Sequence, residues 1–81
     1  MTRGEIFNKL TGVFRDVFDD ETITIGEETT AADIDGWDSL EHINLIAAAE
    51  EEFGVKFSMG EVVTLKNVGQ MVDLISKKLS A

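Results

Sequence analysis

The chain has 81 residues, 16 acidic and 7 basic, with a formal charge of −9 and neither cysteine nor proline. That size allows one small domain with a modest core. Disulfides and thiolate metal sites are excluded, the acidic balance repels nucleic-acid phosphates, and no apolar run approaches the roughly 20 residues of a membrane span or resembles a secretory signal. A cytoplasmic, reducing compartment fits this composition. The charge suits basic partner surfaces or bound cations, although it also serves solubility alone. Crowded onto so short a chain, it should erode stability by self-repulsion. Added magnesium is therefore expected to raise the melting temperature; an unchanged or lower value contradicts this.

Four capping signals divide the sequence: Thr2 with Glu5, Asp38 with Glu41, Ser58 with Glu61, and Asn67 with Gln70. Each places a polar cap three residues before a Glu or Gln, which satisfies free backbone donors at a helix start. The first helix is predicted from Arg3 to Phe18, with Ile6, Leu10, Val13, Phe14 and Val17 on one stripe. Between it and the second helix runs "DDETITIGEETTAADIDG", a long loop that Ile23, Ile25 and Ile34 can pin to the core. A loop this long in a small domain carries a function or packs on itself. "TITI" alternates like a strand, but nothing convincing can pair with it.

The second helix is predicted from Asp38 to Phe53, with Gly54 as its stop. Turning about 100° per residue, Leu45, Ile46, Ala49 and Phe53 form a sufficient core face. Leu40, Ile43 and Ala47 form a second apolar stripe, set off by Glu50. Either both stripes are buried, the second under the long loop, or the second is an exposed strip that docks into basic-rimmed grooves. A short third helix is predicted from Met59 to about Val63. A last helix from Asn67 to Leu79 has Val68, Met71, Val72, Ile75 and Leu79 on its stripe, and Lys77 and Lys78 where the dipole favours cations. The expected fold is all-α: a four-helix bundle of three main helices and one short third helix, forming one domain over residues 1–81.

Ser39 sits in the first turn of the second helix, close to the gap between its stripes. A catalytic serine needs an adjacent base, a group orienting that base and an oxyanion site. The only histidine, His42, projects toward the edge of the core, and no nucleophile-elbow glycines precede Ser39. "DIDG" lacks the alternating ligands and closing glutamate of a calcium loop, and no other metal site is expected.

"GWDSLEHINLIAAAEEEFGVKF", with "LKNVGQMVDLISKKL" as a closing helix, resembles the acyl carrier proteins, and the resemblance extends over most of the chain. It implies that Ser39, within the attachment motif Asp38-Ser39-Leu40, carries a 4′-phosphopantetheine arm donated by coenzyme A. The modifying base belongs to a phosphopantetheinyl transferase, and the working thiol arrives with the cofactor. The resemblance further implies that Leu40, Ile43 and Ala47 are partner-facing, with Glu41, Glu50 and Glu51 as acidic contacts for the transferase and for acyl-transfer and synthase enzymes. The expected function is a monomeric carrier of acyl thioesters in fatty acid, lipid or polyketide-type biosynthesis, not itself an enzyme. An aminoacyl or peptidyl carrier, or an unmodified interaction domain, are the alternatives. Trp37, Asn44, Ala47 and Ala49 depart from the housekeeping pattern and suggest a specialised member. Trp37 either packs the loop onto the core or selects partners. The small alanines raise the expectation of space for an acyl chain near Ala49, Phe53 and Met71.

Overall fold

The first turn of a helix has backbone donors without intrahelical partners, and side chains placed just before it can satisfy them. The computed structural model, which describes residues 1–80, has four α-helices: α1 (Arg3–Val17), α2 (Ser39–Phe53), α3 (Met59–Thr64) and α4 (Val68–Leu79). Thr2 and Ser58 form full capping boxes with Glu5 and Glu61. The other two predicted boxes are half-formed. Asp38 accepts from the Glu41 amide at 2.8 Å, but the Glu41 carboxylate turns to Asn44 Nδ2 instead of reaching back. Asn67 accepts from the Gln70 amide, while Gln70 Oε1 takes the amide of Lys66, one residue before the cap. Asp38 and Asn67 are thus caps and not helical residues, and α1 ends at Val17 with Phe18 as its cap. Gly54 closes α2 in the left-handed conformation, φ +66°, where glycine has no Cβ penalty.

The core forms where α1 packs against α2 and α4. Ile6, Leu10, Val13 and Phe14 meet Leu45, Ile46, Ala49 and Phe53 on one side and Val68, Met71, Val72 and Ile75 on the other, all buried. Val17 and Leu79, each at the last turn of its helix, are only half-buried. The long loop contributes Ile23 and Ile34 to the same core and leaves Ile25 half-buried. Residues 22–25 form no strand; the loop's one regular element is a 3₁₀ turn, Ala31–Asp33.

What fixes the loop is a strap across the start of α4. The amides of Val68 and Gly69 donate to the carbonyls of Thr29 and Glu27, each at 2.9 Å, so the loop fills donors that α4 cannot. A Cβ at position 69 would stand 2.6 Å from the Glu27 carbonyl oxygen; only glycine lets the strap lie this close. Arg3 clamps the arrangement from α1. Its Nε and one terminal nitrogen hold both Glu27 oxygens, and the other terminal nitrogen holds Asp73 at 2.6 Å. The Arg3 hydrogen bond keeps the Glu27 carboxyl below the usual carboxylate range. A lowered folded-state pKa stabilises above the ordinary carboxylate pKa, and the contribution is lost as pH falls through the lowered value. Because these side chains are solvent-exposed, salt screens much of it.

Candidate functional site

The chain enters α2 through a tight turn. Gly36 takes φ +84°, a conformation open to glycine. The Trp37 amide then donates to the Ile34 carbonyl and the Asp38 amide to the Gly36 carbonyl. Asp38 spends its side chain on the Glu41 amide, which leaves Ser39 as the first helical residue, exposed to solvent.

Ser39 lies at the edge of a cleft of about 580 Å³ between α2, α3 and the end of the loop. Trp37, His42 and Ile43 line one wall, Val62 and Leu65 the other, and the buried Met71 contributes from α4. The volume lies in the range of small-molecule sites. Two side chains at its rim were not anticipated as site residues: Met59 and Val63 are 76% and 75% exposed. Nothing in "MGEVV" marked them as exposed, since Met59, Val62 and Val63 fall at the spacings of three and four that a buried stripe also uses.

Of the two readings of the second stripe, the exposed one holds. Leu40 and Ile43 are 65% and 61% exposed, and Ala47 is exposed with them. Glu51 continues the line one turn on and is open to solvent. Glu41 is half-exposed and holds Asn44. Glu50 is partly committed elsewhere: Oε2 accepts from the Phe57 amide at 2.8 Å and so ties the α2–α3 link to α2. The cleft at Ser39 does not extend to Ala49 or Phe53. Ala49 is fully buried and Phe53 nearly so, and of the three residues named only Met71 reaches the cleft.

Trp37 packs the loop onto the core. Its ring meets Phe14 edge-on at 5.2 Å and lies 6.2 Å from Phe18. The His42 ring lies nearly parallel to the indole, 22° between planes and 5.9 Å between centroids, and Trp37 Nε1 donates to His42 Nδ1 at 3.1 Å. This contact crosses the helix cap at a spacing of five, which neither helical nor strand periodicity marks.

A family model described as a phosphopantetheine attachment site matches residues 8–75. The chain is also 35% identical over 82 residues to the acyl carrier protein of Thermosynechococcus vestitus, an alignment covering 100% of both chains. The chain belongs to the acyl carrier protein family. It is similar as well to the acyl carrier protein of Petrotoga mobilis, with 37% identity over 99% of this chain and 94% of that one. The solution structure of a holo acyl carrier protein from Geobacter metallireducens matches with a TM-score of 0.86 and 51% identity, covering 91% of this chain and 85% of that chain. The all-helical architecture is that of the family. Acyl carrier proteins are carriers and not catalysts, and this chain is one of them.

The residues present fit a covalent 4′-phosphopantetheine, the cofactor of this family. An exposed hydroxyl adjoins a cleft with a mainly apolar lining. Free amides at the start of α2 favour a phosphodiester there; Asp38 and Glu41 oppose it by like charge. Among the described residues no cluster of His, Cys, Asp or Glu could hold a metal ion, and no helix is long and apolar enough to cross a membrane.

Proposed function

We propose that Ser39 is the attachment point of the arm, and that the chain is a single carrier domain over residues 1–81. It shuttles acyl thioesters among enzymes of fatty acid, lipid or polyketide-type biosynthesis. The observation that carries this is the exposure of Ser39 at the rim of the α2–α3 cleft, directly before an exposed apolar strip. In loading, Ser39 Oγ attacks the pantetheine-side phosphorus of coenzyme A. The bond to the departing 3′,5′-adenosine diphosphate breaks, and the hydroxyl proton passes to a base of the transferase. The arm supplies the terminal thiol on which acyl groups form thioesters.

The chain's own residues present that thiol to partners. Asp38 fixes the first turn, and Leu40 follows as part of the attachment motif. Leu40, Ile43 and Ala47 offer a dry contact to the transferase and to acyl-transfer and synthase enzymes, while Glu41, Glu51 and the free oxygen of Glu50 face basic groups on them. Exposed charges of this kind speed encounter and still permit release. The carrier works as a cytoplasmic monomer, a reading supported by its acidity and lack of cysteine and by the absence of a membrane-length apolar helix among the described residues.

Incubating the apo protein with coenzyme A and a broad-specificity phosphopantetheinyl transferase should add one phosphopantetheine mass. Ser39→Ala should abolish the addition completely while leaving the melting temperature in place. Addition that survives the substitution refutes the assignment.

A further inference from the structure

An indole nitrogen can only donate a hydrogen bond. With Trp37 Nε1 3.1 Å from His42 Nδ1, that imidazole nitrogen must carry the lone pair, which fixes His42 as the neutral tautomer protonated on Nε2. Once His42 binds a second proton, two N–H groups face each other and the bond is lost. The pair is not a remote ornament. Trp37 and His42 bracket Ser39 in sequence, and all three line the same cleft. Trp37 also ties this turn to α1 through Phe14 and Phe18.

We propose that Trp37 and His42 form a clasp that positions the first turn of α2, and Ser39 with it, for modification, and that the clasp holds only while His42 is neutral. Both are positioning residues; neither meets the reacting atoms. The charged groups that line the cleft with His42 are Asp38 and Lys66. Phe14 of α1 and Phe18 of its cap pack on Trp37, and Val62 of α3 and Met71 of α4 line the same cleft, all without charge. The inference rests on Ser39 being the attachment point, and its test separates the two claims.

The wild type is compared with His42→Gln, whose side-chain oxygen still accepts but does not titrate, and with His42→Leu, which cannot accept. Nitrogen-15 NMR of the wild type at pH 8 should show Nδ1 as the unprotonated nitrogen. Trp37 is the only tryptophan and the chain has no tyrosine, so its emission reports the clasp alone. Emission should change between pH 8 and pH 5, the range in which histidines change charge, and stay flat in His42→Gln. The rate of phosphopantetheine transfer in the wild type, divided by that of His42→Gln, cancels the transferase's own pH response. This ratio should fall by a factor of about two to ten over the same range, the worth of one hydrogen bond. At pH 8 the rate of His42→Leu, divided by that of His42→Gln, should already show the lowered ratio that the wild type reaches only at pH 5. A protonated Nδ1 at pH 8, an identical emission titration in His42→Gln, or a constant rate ratio each overturns the clasp. If no variant gains mass at any pH, the Ser39 reading falls, and with it the clasp's role in modification; the NMR and emission results then decide whether the clasp itself exists.

Discussion

Phe14→Ala is expected to lower the free energy of unfolding by about 3–5 kcal/mol, the usual cost of emptying a buried aromatic site. A chain of 81 residues has on the order of 4–12 kcal/mol in total, so the variant should sit near the edge of folding at 37 °C. Phe14 is fully buried and meets Phe18 at 5.9 Å and Trp37 at 5.2 Å. Such aromatic pairs contribute about 0.5–1.5 kcal/mol beyond the area they bury. The site cannot readily collapse, because Trp37 is itself held by its hydrogen bond to His42. Urea unfolding followed by circular dichroism measures the loss. Phe18→Ala is the control: Phe18 is half-buried and contacts the same indole, so it should cost clearly less. Equal losses, or a Phe14→Ala loss below about 1 kcal/mol, would show that the loop and not this aromatic contact anchors the entrance to α2.

The helices were legible because their signals are local. A cap followed by a 3.6-residue apolar period needs only neighbouring residues, and each helix boundary lies within one residue of its expected place. The buried residues of α1, α2 and α4 are those of the predicted stripes, apart from the half-buried terminal Val17 and Leu79 and the small Gly69 under the strap. The strap was not legible. Its contacts join Thr29 to Val68, Glu27 to Gly69, and Arg3 to Glu27 and Asp73. No periodicity encodes partners so far apart in sequence, and an exposed Arg3 reads like any surface charge.

The same division holds at the site. Ser39 at a helix tip follows from the cap, and the second stripe follows from the period of α2. Whether that stripe was covered could not be read, because both outcomes use the same residues; the loop decides it by crossing α4 instead of lying over Leu40 and Ile43. Glu50 shows the reverse limit. Its helical position marks it as a surface carboxylate, yet the turn after Gly54 brings the Phe57 amide onto it. Met59 and Val63 were read only as a helix, since six residues are too few for an apolar face to declare which side is buried.

Ile43→Asp should leave folding intact and cripple docking. At 61% exposed, Ile43 contributes little to the core, and aspartate on an outer helical face costs only a few tenths of a kcal/mol in propensity. The melting temperature should therefore move by no more than about two degrees. Against a partner the balance differs. Burying an isoleucine side chain is worth about 1.5–3 kcal/mol, and placing a charge in that contact forfeits all of it. The expected result is a fall of about 10- to 100-fold in kcat/KM for phosphopantetheine transfer, carried mainly by KM, since the reacting Ser39 is untouched. Ala47→Asp offers the comparison: it adds the same charge on the same strip but removes only a methyl group, so the loss should be smaller. If Ile43→Asp transfers normally with an unchanged melting point, the strip is not the surface this partner grips. The exposed pair on α3, Met59 and Val63, would then be the apolar ground left for it to hold.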